Sequence, residues 1–102
     1  MKLTFAAEDL RVRITIDEAR ELAGGAELAL ELVPGAADGS TFELNARDEG
    51  AVFSSRRSVL SIAGEQLREA IARHPSTVPV AEGAYGKRTW SLEVDLHSRS
   101  AR

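Results

Sequence analysis

Glu93, Asp95 and His97 stand at alternate positions near the end of the chain. In an extended strand that spacing puts all three on one face, with neighbours about 6–7 Å apart. Two carboxylates and an imidazole are the residue types that bind a divalent metal or move a proton. Positions on a single strand seldom converge on one ion, so a metal site needs a further ligand from another element, and none announces itself. An ordinary reading competes: a solvated sheet face whose acids pair with Arg11 and Arg13 on a neighbouring strand.

A second string, Gly83-Ala84-Tyr85-Gly86-Lys87-Arg88, has glycines that let backbone amides approach an anion and two cations to hold it. It is not a Walker loop, because the glycine spacing fails, no Ser or Thr follows the lysine, and a strand rather than a helix comes next. It shares Gly-x-x-Gly with one RNA-binding module, whose loop joins two helices as this one does not. Arg56 and Arg57, in a turn of their own, would join Lys87 and Arg88 as a basic patch if the fold brought the turns together. Of the five aromatics, Phe5, Phe42, Phe53, Tyr85 and Trp90, most fall at inward strand positions, which leaves Tyr85 as the exposed stacking platform. Ordinary surface cations on a connector are the competing account.

His74 precedes Pro75 at the end of a helical pattern, where an imidazolium favours the negative end of the helix dipole. No Ser/His/Asp spacing or nucleophile elbow stands near either histidine, so serine hydrolase chemistry has no support.

These groups sit in a chain of 102 residues, 43% hydrophobic and 28% charged, without cysteine. One folded domain is expected at residues 1–97, with a disordered tail at 98–102. The missing cysteines exclude a disulfide scaffold, thiolate metal sites and a cysteine nucleophile. Neither a signal-peptide stretch nor a run of about 18 apolar residues appears, so a cytoplasmic protein away from membranes is the expectation. Residues 1–52 carry five basic and eleven acidic residues, a net of −6, while residues 53–102 carry eight and five, a net of +3. This is not the balance of a nucleic-acid-binding domain.

Hydrophobic periodicity supplies the framework. Strands are expected at 2–6 and 10–14, then Thr15-x-x-Glu18 forms a capping box that opens a helix to about Ala23, stopped by Gly24-Gly25. Alternation resumes at 26–33, 41–47, 51–54 and 58–62. A second amphipathic helix spans about 64–73 and ends at His74-Pro75. An irregular stretch follows to Arg88, then a last strand at 89–97. The order ββαββββαβ reads as an α+β fold: a mostly antiparallel sheet of about seven strands, able to curl into a half-barrel, with two short helices on its apolar face. Both halves place a hairpin before a helix and a returning strand, a faint internal repeat without residue-level similarity.

Met1-Lys2-Leu3, Leu10-Arg11-Val12-Arg13-Ile14-Thr15 leading into Glu18 and Leu22, and the closing Leu92-Glu93-Val94-Asp95 resemble a family of small uncharacterised bacterial proteins, a domain of unknown function. Its members open with a Met-Lys-Ile/Leu strand and an LRLRLT-type strand leading into a capped helix. The resemblance covers the first quarter of the chain and, beyond it, only the layout. It implies a fold and no site.

The chain therefore reads as a noncatalytic binding or interaction module. It calls for no cofactor and engages a protein partner or a second copy through a sheet edge or the 74–88 loop, with His74, Tyr85, Lys87 and Arg88 as candidate ligand-binding residues. The alternative is a metal-binding protein or enzyme using Glu93, Asp95 and His97. Nucleic-acid binding through Arg56, Arg57, Lys87 and Arg88 is the weaker alternative.

Overall fold

A computed structural model describes residues 1–6, 8–32, 41–48, 50–54 and 58–97. Its elements run β1 Lys2–Ala6, β2 Asp9–Ile14, α1 Ile16–Ala23, β3 Leu28–Glu31, β4 Thr41–Arg47, β5 Val52–Ser54, β6 Val59–Ala63, α2 Gly64–Arg73, β7 Ala81–Tyr85 and β8 Arg88–Val94. The class is α+β with two helices, as the periodicity implies. The single curled half-barrel is not what forms. Eight strands make two mixed four-stranded sheets, ordered β1-β2-β8-β7 and β3-β4-β6-β5, neither curled nor closed. In each, a parallel central pair is flanked by two antiparallel hairpins.

Local chemistry sets the helix ends. The Thr15 hydroxyl accepts from the Glu18 N–H at 3.1 Å and a Glu18 carboxylate oxygen accepts from the Thr15 N–H at 2.9 Å, so the capping box closes reciprocally. At the other end Gly25 adopts φ +100°, and its N–H and that of Ala26 donate to the carbonyls of Leu22 and Glu21. This Schellman pattern satisfies two of the last carbonyls and needs a residue free of a Cβ penalty at position 25.

The strand missing from the periodicity is β7. Residues 81–85 lack β-branched side chains, and a glycine interrupts them, so they resemble a loop. Gly83 stands opposite Trp90 in the β7–β8 pair, and a Cβ at position 83 would meet the indole at 2.7–2.9 Å. The strand accepts a glycine because the tryptophan fills its place. The irregular stretch is thus confined to residues 75–80. A two-residue turn with Gly86 at φ +62° then joins β7 to β8.

The faint repeat is a property of the whole fold. Val12 pairs with Leu92 and Leu44 with Leu60; Leu60 stands 48 positions after Val12, and Leu92 48 positions after Leu44. The same interval relates Ile14 to Ile62, Phe42 to Trp90 and Ala46 to Val94. Each half is a ββαββ unit that gives its first hairpin to one sheet and its second to the other. Neither half owns a sheet. This exchange also places a hairpin of the acidic first half beside a hairpin of the basic second half in each sheet.

One core joins them. Leu10, Val12, Ile14, Phe42, Leu44, Leu60, Ile62, Trp90 and Leu92 are buried from the strands, and Ile16, Ala19, Leu22, Leu67 and Ala70 from the helices. At the helix positions related by 48 residues, Ala19 matches Leu67 and Leu22 matches Ala70. The two helices pack on each other with small and large residues in opposite order, which conserves volume at their contact. Among the described residues no helix is long and apolar enough to cross a membrane.

Candidate functional site

Three features carry the surface chemistry: the polar outer face of the β1-β2-β8-β7 sheet, the β7–β8 turn, and the free edge of β1.

On the outer face, the parallel β2–β8 register sets Arg13 beside Glu93 and Asp9 beside Thr89. Arg13 and Glu93 form a 2.8 Å ion pair, both partly solvated. Asp9 accepts from Arg11 at 2.8 Å and from the Thr89 hydroxyl at 2.9 Å. The Arg11 hydrogen bond, with Thr89 second, holds the Asp9 carboxyl below the usual aspartate range. A shallow trough of about 630 Å³ runs over this face, lined among others by Asp9, Arg11, Glu82, Ser91 and Glu93.

The expected strand at 89–97 ends early. β8 stops at Val94, where the Asp95 N–H donates to the Ile14 carbonyl at 2.7 Å and the Asp95 carboxylate accepts from the His97 N–H at 3.0 Å. The chain turns there, so Glu93, Asp95 and His97 do not share one strand face. They still line one cleft of about 290 Å³ with Arg13, Ser76 and Thr77. It lies at the carboxyl ends of the parallel β2–β8 pair, a place where open sheets accept ligands. Among the described residues no three His, Asp or Glu side chains form a group able to hold a metal ion.

Tyr85, Lys87 and Arg88 come together at the β7–β8 turn, around a shallow hollow of about 390 Å³. Tyr85 is not an exposed platform: its ring packs on Phe53 with centroids 4.6 Å apart, and Phe53 stacks on Phe42 at 6.3 Å. His74 is elsewhere, half-buried as the C-cap of α2, where its N–H donates to the Ile71 carbonyl at 3.3 Å. The four candidate ligand residues therefore do not form one loop site. Arg56 and Arg57, and the tail at 98–102, lie outside the described residues.

The sequence pattern also misplaces Phe5. Its pairing with Leu10 suggests an inward ring, yet it is 66% exposed, since β1 is an edge strand and the core ends before it. All of β1 except Leu3 is exposed, and no described strand pairs with its outer side. The signal available was position: a five-residue strand at the margin of the sheet has one neighbour.

Behind this edge, the Met1 ammonium donates to both Glu18 carboxylate oxygens at 2.8 and 2.7 Å, tying the start of β1 to the α1 capping box. Burial by itself would raise the Glu18 carboxyl. The hydrogen bonds from the Met1 ammonium and from the Thr15 N–H outweigh it and hold the group below the usual glutamate range. No family model, curated protein or solved structure matches this chain.

Proposed function

We propose that this protein is a noncatalytic interaction module that engages an extended partner strand along the outer edge of β1. The observation that supports this reading is the solvent-exposed outer edge of β1, with which no strand among the described residues pairs and on which Phe5 stands. A sheet edge is a row of unmet backbone donors and acceptors, and an added strand satisfies them while its alternate side chains supply specificity. The Met1–Glu18 contact supports the role by anchoring one end of the strand, so little ordering remains to oppose binding.

Amide hydrogen exchange of dilute protein tests it, with short alternating valine–threonine peptides as the probe. Edge binding slows exchange at residues 2–6. Protection confined to the β7–β8 turn or to the cleft at Asp95 overturns the reading.

A second reading keeps Glu93, Asp95 and His97 as metal-binding or acid/base residues, favoured by the cleft they share with Arg13, Ser76 and Thr77. Calorimetric titration with zinc and manganese, beside His97→Ala, tests it; absence of heat in the parent refutes it. Nucleic-acid binding through Lys87 and Arg88, with Arg56 and Arg57, is the weaker reading. It predicts affinity falling steeply with salt.

A further inference from the structure

We infer that the strand received by β1 is β1 of a second copy of this chain, paired antiparallel about Thr4; the inference rests on the edge-binding reading above. In an antiparallel pair, directly opposed residues point to the same face. Centring on Thr4 uses the full strand: Lys2 opposes Ala6 of the second copy, Leu3 opposes Phe5, and Thr4 opposes Thr4.

Both faces match in this register. Within each copy Leu3 is paired with Val12, and Phe5 with Leu10. The inner row across the junction therefore reads Val12, Leu3, then Phe5 and Leu10 of the second copy, apolar throughout. The exposed Phe5 ring gains a cross-strand apolar partner, and it gains it twice by symmetry. On the outer face Lys2 is beside Arg13, and Ala6 is beside Asp9. The row reads Arg13, Lys2, then Ala6 and Asp9 of the second copy. Lys2 lies about 10 Å, two strand spacings, from that aspartate. Only an alanine methyl stands between them, so the ammonium reaches the carboxylate across it. The central row pairs two threonines flanked by Arg11 of each copy, with no like charges directly opposed.

Sliding the pairing by two residues toward the chain start loses this match. Lys2 then opposes Thr4, whose in-sheet neighbour is Arg11, and two cations meet instead of a cation and an acid. Sliding it two residues the other way keeps three pairs, Thr4 with Ala6, Phe5 with Phe5 and Ala6 with Thr4, and leaves Lys2 and Leu3 without a partner in β1 of the second copy. The Thr4-centred register thus pairs all five residues of β1 where either slide keeps three, and it extends the sheet to eight strands across the two-fold axis. Five paired residues a side make a small interface, at the low end of what holds transient complexes, so dissociation in the range of about 10 μM to 1 mM is expected.

Sedimentation velocity across that range, on the full chain, is the test. Thr4→Lys and Thr4→Glu each place like charges on the axis at an exposed position outside the core. Each is expected to weaken dimerisation about fivefold with the thermal midpoint nearly unchanged. An equimolar mixture of the two opposes lysine to glutamate and recovers the parent's association. Phe5→Ser is expected to weaken it about tenfold or more. A parent that stays monomeric throughout, a dimer indifferent to Thr4→Lys, or a mixture without recovery overturns the inference. If the parent is monomeric while alternating peptides still protect residues 2–6, the edge reading stands and only the identity of the partner falls.

Discussion

Replacing Glu18 should separate two roles that one carboxylate performs. It closes the α1 capping box with Thr15 and receives both hydrogen bonds of the Met1 ammonium. Loss of a helix cap costs about 1 kcal/mol, and a hydrogen bond to a charged partner contributes about 1.5–3 kcal/mol. The Glu18 side chain is 22% exposed and that of Met1 4%, so solvent screens the pair only in part. Glu18→Ala should therefore destabilise by about 2–3 kcal/mol, which lowers the melting midpoint of a domain this size by roughly 10–15 °C. Glu18→Gln keeps one acceptor oxygen for the Thr15 N–H but loses the charge and the second acceptor facing the Met1 ammonium, about 1–2 kcal/mol. Because the folded protein holds the Glu18 carboxyl below its ordinary value of 4.5, the charge contributes its full stabilisation above that value. The contribution disappears as pH falls through the lower folded-state value. The gap between parent and Glu18→Gln, from urea midpoints at a series of pH values, should be widest near neutrality and close on acidification. A gap that stays constant to about pH 2 would show that the ammonium–carboxylate pair contributes nothing. So would Glu18→Gln matching the parent at pH 7.

Gly83→Ala puts a methyl within 2.7–2.9 Å of the Trp90 indole and should cost about 1–3 kcal/mol; Trp90 is the only tryptophan, so its fluorescence reports the shift, and pairing the change with Trp90→Leu should recover part of the loss. Leu44→Ala and Leu92→Ala, fully buried and related by the 48-residue interval, should each cost about 2–5 kcal/mol, and denaturant midpoints that differ widely would contradict the equivalence of the two sheets. Glu93→Gln breaks a partly solvated ion pair and should move stability by no more than about 0.5 kcal/mol. Residues 1–48 and 51–102 made as separate chains should each lack far-ultraviolet strand signal and regain it on mixing, because each sheet draws one hairpin from each half.

The local chemistry was open to sequence reasoning. Thr15, Glu18 and Gly25 act within one turn of the backbone they cap, and alternation at Leu10, Val12 and Ile14 depends only on which face is wet. Two classes of feature were not. β7 is invisible in isolation because Gly83 is explained by Trp90 across the sheet, a contact known only once the strands are paired. The parallel pairings β2–β8 and β4–β6 join positions some 80 and 16 residues apart, and nothing in either strand's own pattern names its partner. The candidate site suffered for the same reasons. Alternation runs on through Asp95 although the strand ends at Val94, and nothing near Tyr85 in the chain points to Phe53, which lies on the other sheet. The pairing of Glu93 with Arg13 is legible as an ordinary sheet-face contact, since opposite charges on neighbouring strands need only a shared face.

The internal repeat bears on function through the places where it is imperfect. Phe53 pairs with Leu60 as Leu3 pairs with Val12, so Phe53 and Leu3 are equivalent. Tyr85 follows Ala84, the partner of Thr89, as Leu32 follows Glu31, the partner of Thr41, so Tyr85 and Leu32 are equivalent too. At one corner the large rings of Phe53 and Tyr85 meet at 4.6 Å and bring the edge strands β5 and β7 together. At the related corner two leucines replace the rings, Leu32 is 38% exposed, and the edge strand β1 leaves Phe5 in solvent. Aromatic packing joins the edge strands β5 and β7, where Val52 is 48% exposed, while the β1 edge carries the more exposed Phe5 ring, a large apolar side chain at a sheet margin of the kind a docking partner covers. The difference between the corners, more than any cluster of polar side chains, therefore directs attention to β1.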